Sequence, residues 1–514
     1  MPAMHDAPPD APDDDVRTLH RLGYAQELAR CLGGFSNFAI SLSIICVLAG
    51  GLTSFHVGFS AVGGAAVGVG WPAMCLLSLA VAATMGQVAS AFPTAGGLYH
   101  WAAILGGRGW GWATAWFNLA GLVTVLAAIN VGTFRFAAAA LDPAFDPAKA
   151  TSLQFVVVAA MTASQAIVNH LGIRVTRVLT DFSGWWILAV SAALTAALLA
   201  CAPSAEPARL VTFTNFSGPA GGDVWPETAS LAWLFALGLL LPAYTITGFD
   251  ASAHASEETV NAAAAVPRGI VRSVLVSGVV GWVMLSAVVL AMPDPTETAA
   301  LGDKAFAHTL TAVAPAWLAG ALLVGAVVAQ YLCGLATVTS ASRMAFAFAR
   351  DGGLPFSEAV RHVSPRFRTP PVAVWGVAAA AVAFTAYTPV YTTITAVCVI
   401  FLYVSYVVPT AIGFVAHGRW WTTFGPWTLG AWFRPLALVS VVGCIGLIVI
   451  GMQPPNDQAV YAVGGTAALL AVGWFARARR TFPGPPHGVL NAAQLAAIRA
   501  AEDAVHEPSH GTVE

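Results

Sequence analysis

The sequence predicts an all-α polytopic membrane protein with twelve transmembrane helices. Only 9% of its 514 residues are charged, whereas a soluble protein of this length would carry about 25%. Apolar stretches of about 20 residues, the length that crosses a bilayer, recur along the chain. Two of these stretches are interrupted by glycines, and one interruption carries an acid, Asp250. These observations together predict a helical membrane protein with a polar site inside the membrane.

Twelve apolar stretches are long enough to serve as spans, which we number in chain order. They lie at 35–55, 60–91, 112–140, 152–170, 179–201, 229–255, 270–291, 313–347, 371–387, 390–415, 435–452 and 458–476. The predicted organisation is a cytoplasmic N-terminal tail, a transmembrane domain and a cytoplasmic C-terminal tail, at 1–30, 31–478 and 479–514.

The basic residues predict the orientation of these spans. Twelve spans place both termini on the same side of the membrane. If that side is the cytoplasm, 19 of the 23 Lys and Arg residues fall on inner segments, and only Arg135, Lys149, Arg209 and Lys304 fall outside. Positive residues concentrate on the cytoplasmic side of membrane proteins. The distribution therefore predicts cytoplasmic termini, and we expect the protein in the plasma membrane.

The two ends of the chain differ in composition from the spans. The N-terminus, MPAMHDAPPDAPDDDV, is rich in proline and aspartate. Because it has no basic region and no apolar core, it is not a signal peptide, and its composition predicts a disordered tail. Near the other end, PGPP follows the last span, and 489–505 is predicted to form a short helix.

Span one contains the small residues Ala49, Gly50 and Gly51, followed by Thr53. A glycine pair can open a helix and free its N–H groups toward an anionic ligand. The same residues can instead let two helices pack closely. The first interpretation gains weight because span six carries a corresponding break, and paired breaks in two halves of a chain are typical of a transporter site.

Span six is interrupted near Thr245, Thr247, Gly248, Phe249 and Asp250. A charged residue at the centre of a membrane helix costs roughly 2.5–3.5 kcal/mol on insertion scales, so such residues usually face a cavity. Broken backbone also needs a protein cavity, because lipid cannot satisfy its polar groups. The sequence therefore predicts a solute site here. The alternative is a water-exposed acid at the N-terminus of a half-helix.

Two neighbours of Asp250 remain ambiguous from the sequence. His254 lies one turn further on, where it can share a proton with Asp250 or simply cap the cavity. The residue by itself favours the structural interpretation. Phe249 can close over a ligand, although most phenylalanines in membrane helices only pack.

The inner ends of spans two and six carry distinct signals. Pro93 and a glycine pair end span two, and the following Leu98, Tyr99, Trp101 and Ile104 predict a short interfacial helix with its aromatic residues at headgroup depth. Span six ends in two acids, Glu257 and Glu258. They are expected to pair with Arg268 and Arg272 at an inner gate, or to be solvated.

Several function classes are excluded or unsupported. A net charge of −2 gives no reason to expect nucleic-acid binding, and the seven cysteines show no metal-ligand spacing. HEXXH and GXGXXG motifs are absent, as is a nucleotide-binding domain. The sequence therefore predicts neither an enzyme nor an ATP-driven pump, and no cofactor or metal. The cysteines in apolar runs are expected to be small packing residues.

Several segments resemble a known family of permeases. They are LGYAQELAR (22–30), FSNFAISLSIICVLAGGLTSF (35–55), FPTAGGLYHWAA (92–103), GFDASAHASEET (248–259), VPRGIVRSV (266–274) and SRMAFAFARDGGLPFS (342–357). Their order and spacing resemble the amino acid–polyamine–organocation (APC) superfamily, in particular its amino acid/choline transporter branch, which includes γ-aminobutyrate and choline permeases.

The resemblance implies a five-plus-five inverted repeat (LeuT-like) with broken helices one and six, plus two extra C-terminal helices. It places the substrate between spans one, three, six and eight. The ligand's carboxylate would meet freed N–H groups of span one and its amine freed carbonyls of spans one and six. The substrate-binding residues would be Ala49, Gly50, Gly51, Thr53, Thr245, Thr247, Gly248, Phe249 and Asp250.

The resemblance also bears on ion coupling. In some related antiporters an acid aligned with Asp250 is proton-sensitive, which makes Asp250 a candidate for coupling to H⁺. Some proton-coupled relatives carry a lysine in span five, whereas span five of this chain, DFSGWWILAVSAALTAALLA, has no basic residue. That mode of coupling is therefore not expected, and a sodium site is not indicated either.

The expected function is transport of an amino acid, or a related amine such as γ-aminobutyrate, by alternating access. The expected partners are this small molecule, the lipid bilayer and a coupled proton. Three alternatives remain open: a carrier of choline, polyamines or other organocations, a nutrient sensor on the same fold that binds without transport, and a channel.

Overall fold

The computed structural model describes residues 14–141, 150–203, 205–387, 391–486 and 492–506. The chain is all-α, and no β-strand occurs in these ranges. Ten of the described helices are long and apolar enough to cross a membrane. Two shorter apolar helices, Leu231–Thr245 and Pro371–Ala386, lie where the sixth and ninth spans were predicted. The prediction of a polytopic helical membrane protein is thereby confirmed.

The long helices follow the predicted spans closely. Their bounds are Gly34–Gly51, Ala66–Ala91, Arg108–Leu141, Thr151–His170, Ile173–Cys201, Ala262–Ala291, Ala316–Arg350, Thr395–Ala416, Gly430–Gly451 and Gln458–Thr481. Spans three, five, seven and eleven begin several residues earlier than predicted, and spans eight and twelve end later, because small and polar residues at their ends continue the helix. Lys149, one of the four predicted outer basic residues, lies outside the described residues.

Span one is built of three pieces: Gly34–Ile45, a wide turn at Val47–Gly51, and Phe55–Val62. The predicted boundary between spans one and two was therefore wrong, since residues 60–62 belong to span one. The chain turns at Gly63, whose φ of +70° favours glycine. A side chain at the next residue, Gly64, would meet the Arg209 carbonyl oxygen at 2.1 Å.

Span six is also interrupted. Helix Leu240–Thr245 ends before Ile246, and a short helix, Ala251–His254, resumes after Asp250. Gly248 lies in the gap with φ +88°, and a Cβ there would approach the Ile44 side chain to 2.3 Å. Only glycine fits this position. The two breaks therefore meet, because Ile44 belongs to the last turn of helix Gly34–Ile45 in span one.

The N-terminal segment is more ordered than its composition suggested. Residues 1–13 lie outside the described residues, but Asp14–Arg21 is a helix. Asp15 accepts hydrogen bonds from the N–H groups of Asn261 and Ala262, at the start of span seven. The carboxylate thus caps a helix N-terminus, which stabilises both segments.

The C-terminal tail contains the predicted short helix, at Ala492–His506. Glu502 of this helix lies 2.7 Å from His20 Nε2 and accepts a hydrogen bond from the Gln26 N–H at 2.8 Å. The described segments nearest the two ends of the chain are therefore in contact.

Candidate binding site

A cavity lies between the two broken helices. Residues from spans one, three, six, eight and ten line it: Ile44, Ile45, Ala49, Gly50, Thr53, Leu122, Val125, Ile129, Gly132, Tyr244, Thr245, Thr247, Gly248, Gln330, Cys333, Cys398 and Leu402. Its volume is about 30 Å³, which holds about one or two water molecules. The helices around the cavity therefore leave almost no open space between them.

The cavity contains most of the residues that the sequence singled out. Ala49, Gly50, Thr53, Thr245, Thr247 and Gly248 line it. At Gly50, an added Cβ would lie 2.9 Å from the Thr245 Cα. The glycine therefore lets span six approach closely, the second role considered from the sequence, whereas its own N–H donates to the Cys46 carbonyl at 3.0 Å.

Three of the predicted residues do not line the cavity. A Cβ at Gly51 would face the Leu285 side chain of span seven at 3.6 Å. Phe249 is buried and packs on Tyr406, with ring centroids 5.1 Å apart. Asp250 is fully buried behind the cavity wall.

Sequence reasoning from the residues missed the walls on spans three, eight and ten. The side chains there include Leu122, Val125 and Leu402, which resemble any other apolar residue of a membrane helix. Only the resemblance to a family signalled spans three and eight, and nothing in the sequence signalled span ten. Sequence reasoning also missed Gln330 on span eight, although this residue does carry a signal. An amide on a membrane helix is a polar side chain that needs a partner.

The cavity is polar only at a few neutral groups. The hydroxyls of Thr53, Thr245 and Thr247 each donate to a carbonyl four residues earlier, at 2.6, 2.8 and 2.6 Å. Their oxygens keep lone pairs that can accept a hydrogen bond. No charged side chain occurs among the described residues that line the cavity.

Span eight supports the break in span one. The Gln330 amide donates to the Leu48 carbonyl at 3.0 Å, and the Cys333 thiol donates to the Ile44 carbonyl at 3.3 Å. These carbonyls lie at the break, where lipid would leave them unsatisfied. Cys333 was expected only to pack, yet it also serves as a hydrogen-bond donor.

Asp250 is held by three side chains. Its carboxylate accepts hydrogen bonds from the Tyr406 hydroxyl at 2.7 Å and from the Asn118 amide at 3.1 Å, and His254 Nε2 lies 3.3 Å away. Tyr406 in turn accepts the Gly248 N–H at 3.0 Å. Because Gly248 lines the cavity, this chain of hydrogen bonds connects Asp250 to the cavity wall through one residue.

The contacts of His254 indicate which of its two ring nitrogens carries a hydrogen. Nδ1 lies 3.0 Å from the Ala95 carbonyl oxygen, which can only accept, so Nδ1 carries a hydrogen. Nε2 then faces the Asp250 carboxylate. A hydrogen bond between these two atoms needs a proton on one of them. With the hydrogen on Nδ1, Nε2 is the ring nitrogen that faces Asp250, so the two interpretations of His254, proton sharing and capping of the cavity, both keep the same geometry.

The inner end of span six forms a closed layer of ion pairs. Glu257 accepts two hydrogen bonds from Arg350, at 2.7 and 2.9 Å, and Glu258 accepts two from Arg343, at 2.9 and 3.0 Å. Both acids are fully buried. The prediction that they pair with Arg268 and Arg272, or are solvated, was wrong: span eight reaches them instead.

The short helix after span two belongs to the same layer. It runs from Leu98 to Gly106, as predicted, but Tyr99 and Trp101 are buried rather than placed among headgroups. The Tyr99 hydroxyl donates to Asp351 at 2.7 Å, and His100 Nε2 lies 3.0 Å from the same carboxylate. Tyr24 also donates to it at 2.9 Å.

The acids of this layer are stabilised as anions. Burial by itself raises the pKa of Asp351, but the hydrogen bond and charge of His100, followed by the Arg350 charge, outweigh it and lower the pKa below its usual value. Burial likewise raises the pKa of Glu257, and the charge and hydrogen bonds of Arg350 overcome it, so this pKa is lowered too. Both groups stay ionised at neutral pH.

Comparison with known proteins identifies the family. The family model described as amino acid permease matches residues 32–476. The chain belongs to the amino acid permease family. This confirms the resemblance to the APC superfamily, and it identifies the protein as a multi-pass membrane transporter of a family that carries amino acids, not an enzyme.

Individual relatives agree with this assignment. The chain is 31% identical to the amino-acid permease BAT1 of Arabidopsis thaliana over 504 residues, covering 92% of this chain and 96% of that protein. It is 32% identical to the BAT1 homolog of Oryza sativa subsp. japonica, covering 91% and 94%. It is 27% identical to the GABA-specific permease of Saccharomyces cerevisiae, covering 70% and 63%.

Proposed function

We propose that the protein is a secondary active transporter that moves an amino acid, or a related amine such as γ-aminobutyrate, across the plasma membrane by alternating access. The architecture we propose is twelve spans, with a five-plus-five inverted repeat followed by two further helices. The observation that carries the proposal is the meeting of two broken helices, at Gly50 and Thr245, on the wall of one cavity. The names of the relatives support amino acids and γ-aminobutyrate as substrates.

The ligand's carboxylate binds at the break of span one. Gly50 has no side chain between its backbone and the ligand. Its N–H donates to the Cys46 carbonyl while the cavity is closed, and we expect it to turn toward the anion when the cavity opens. Gly51, Phe249 and Asp250 belong to this proposal as neighbours of the cavity that become accessible when it opens. Phe249 lies in the break of span six and packs on Tyr406, and we propose that its side chain moves when the cavity opens.

Alternating access follows from the contrast between the cavity and the cytoplasmic layer. The cavity is too small for an amino acid while the surrounding helices are nearly closed. Toward the cytoplasm, buried ion pairs join Glu257 to Arg350 and Glu258 to Arg343. Release to the cytoplasm requires span six to separate from span eight at these pairs. We therefore assign them to the inner gate.

Asp250 and His254 supply the proton for coupling. The pair is neutral with one proton and negative without it, and the Tyr406 hydroxyl transmits a change in its geometry to the Gly248 N–H. A ligand that contacts Gly248 then binds the two protonation states with different affinity. Differential affinity is what couples two binding events.

Purified protein tests the substrate class directly. Ligands that bind the folded state raise its melting temperature by mass action. A panel of amino acids, γ-aminobutyrate, choline and polyamines is added to the protein, and the compounds that stabilise it are then tested for uptake into proteoliposomes. Stabilisation by choline or polyamines alone would assign an organocation carrier. Binding of amino acids without flux would assign a nutrient sensor, and ionic currents beyond the turnover of a carrier would assign a channel.

A matched pair of glycine variants tests the site. Gly50→Ala introduces a Cβ 2.9 Å from the Thr245 Cα, whereas the Cβ of Gly51→Ala meets Leu285 at an ordinary 3.6 Å. We expect Gly50→Ala to abolish uptake at normal surface expression and Gly51→Ala to keep most of it. Equal uptake by the two variants would show that the breaks need no close approach.

Cysteine labelling tests the orientation. In a cysteine-free background, a cysteine at position 304 should react with an impermeant reagent from outside, and one at position 361 only after permeabilisation. Labelling of position 361 in intact cells would contradict the proposed cytoplasmic termini.

A further inference from the structure

A glutamine on span eight has an oxygen without a partner at the cavity. The Gln330 side chain lines the cavity and is 1% exposed. Its Nε2 donates to the Leu48 carbonyl, whereas Oε1 has no hydrogen-bond partner within the described ranges. Buried polar atoms without partners are uncommon and destabilising. A ligand with a donor group would satisfy this one.

The contact with span one determines which polar atom of the Gln330 amide remains without a hydrogen-bond partner. If the amide were turned over, Oε1 would face the Leu48 carbonyl oxygen, and two acceptors would meet with no hydrogen between them. The wide turn of span one therefore binds the amide nitrogen of Gln330 through the Leu48 carbonyl. The unsatisfied atom is an acceptor, so the ligand group it suits is an N–H or O–H donor.

We infer that Gln330 Oε1 accepts a hydrogen bond from the primary ammonium group of the substrate. This rests on the proposed function and deepens it by naming the class of amine. The described lining residues carry no charge, so neutral acceptors must recognise the ammonium. A quaternary ammonium has no N–H to donate, so a hydrogen bond to this oxygen favours the binding of amino acids over choline-like compounds.

Ligands that differ only at the ammonium group test the inference. Pentanoate carries a methyl group where γ-aminobutyrate has its ammonium, and isobutyrate has the same relation to L-alanine. The affinity of each compound is measured on purified protein by dose-dependent thermal stabilisation. The wild type should prefer at least one amino compound over its isostere. Gln330→Met should reduce that preference about tenfold, the size expected for a hydrogen bond to a charged group, and leave the isostere's affinity unchanged.

Gln330→Glu is the matched control. As a neutral acid it can donate to Leu48 and keep a carbonyl oxygen for the ligand, and as an anion it keeps two acceptors, so the preference should persist. If Gln330→Met retains the full preference, or weakens the isostere equally, the inference is overturned while amino acid binding by the wild type stands. If the wild type binds neither amino compound, the proposed function fails and the inference fails with it.

A second, independent observation concerns the cytoplasmic end of span seven. Arg268 and Arg272 are exposed, and neither forms an ion pair with an acid in the described part of the chain. They line a cleft of about 230 Å³ whose other walls include Gly34, Phe38 and Val260. The arginines lie four residues apart, so they project from the same helix face.

The same face continues as an apolar surface. Leu275, Val279 and Val283 follow Arg272 at helical spacing and are 49%, 53% and 46% exposed. The cleft therefore has two guanidinium groups at the membrane surface and an exposed aliphatic strip that leads from them along the helix. A phospholipid has this arrangement of charge and apolar chain.

We propose that Arg268 and Arg272 bind the headgroup of an anionic phospholipid from the cytoplasmic leaflet, with an acyl chain along Leu275, Val279 and Val283. Two guanidinium groups without a counter-acid favour a net negative headgroup. The bound lipid would lie against Gly34 and Phe38, at the start of span one. It would thereby touch one of the two broken helices.

Native mass spectrometry of the delipidated protein tests this site. Phosphatidylglycerol is titrated against phosphatidylcholine with the same acyl chains. Arg268→Gln/Arg272→Gln should weaken binding of phosphatidylglycerol about thirtyfold, from roughly 1 kcal/mol for each basic residue, with little effect on phosphatidylcholine. The control Arg477→Gln/Arg480→Gln removes two exposed arginines from another part of the inner surface and should retain the wild-type affinity.

The result that overturns the lipid site is equal binding of phosphatidylglycerol by the wild type and the Arg268→Gln/Arg272→Gln variant. A third arm uses glycerol phosphate and inorganic phosphate. If these soluble anions bind the wild type as tightly as the lipid and are lost in the same variant, the cleft is a site for a free phosphate and the lipid assignment is wrong.

Discussion

Two groups of buried carboxylates lie within a few residues of each other in span six and its continuation, and they have different partners. Glu257 and Glu258 each meet an arginine through two hydrogen bonds. Asp250 meets a histidine, a tyrosine and an amide, and no arginine or lysine among the described residues. The difference decides what each acid can do. A guanidinium remains protonated in proteins, so it fixes its partner as an anion, whereas a histidine can give up its proton.

The contrast assigns separate tasks to the two groups. The arginine-paired acids join the continuation of span six to span eight, which is why we propose them as the inner gate. The Asp250–His254 pair has no such cation, which is why we propose it for proton coupling.

The largest expected effect comes from breaking a gate pair. Arg343→Met leaves Glu258 buried and uncompensated, and losing one partner of a buried ion pair typically costs about 3–5 kcal/mol. Thermal unfolding of the purified variant should show a clear loss of stability. Glu258→Gln/Arg343→Met, which removes both charges, should recover much of it. If the single variant is as stable as the wild type, the pair does not hold the two spans together.

An intermediate effect is expected at Asp250, on coupling rather than on stability. Asp250→Asn keeps a side chain of the same size beside Tyr406 and His254 but removes the carboxylate that shares the proton. Exchange of substrate across proteoliposomes should persist, and accumulation driven by a pH gradient should be lost. Asp181→Asn is the comparison variant, because this acid also lies on a membrane helix but accepts a hydrogen bond from Ser36 and does not line the cavity, so pH-driven accumulation should persist. Unchanged pH-driven accumulation by Asp250→Asn would remove Asp250 from the coupling mechanism.

The smallest expected effect is the response of the gate to pH. The lowered pKa values of Glu257 and Asp351 mean that their contribution to stability is complete above their unfolded-state values, about 4.3 and 3.9. It is lost only as the pH falls through the still lower folded-state values. Melting temperatures of Glu257→Gln and the wild type should therefore differ by nearly the same amount at pH 5 and pH 8, because Arg350, the main cause of the lowered pKa of Glu257, keeps its charge over this range. A difference that shrinks between pH 8 and pH 5 would contradict this.

The sequence determined the class of the protein and the position of its candidate site. Apolar length defined most spans because the bilayer demands about 20 residues per helix. The glycines and Asp250 located both breaks, since backbone that leaves a helix in the membrane needs small residues and polar partners. Six of the nine residues selected from the sequence and the family resemblance line the cavity for that reason.

Only the tertiary structure decided which side chains form ion pairs and hydrogen bonds with each other. Glu258 pairs with Arg343 and not with Arg272, although Arg272 is much closer in the sequence, because span eight packs its inner end against the continuation of span six. Likewise, Tyr406 and Gln330 reach the breaks from spans ten and eight across more than 150 and 280 residues of chain. Hydropathy and helix period describe each span by itself. Which side chains meet depends on how the helices cross, and that is a property of the packed bundle alone.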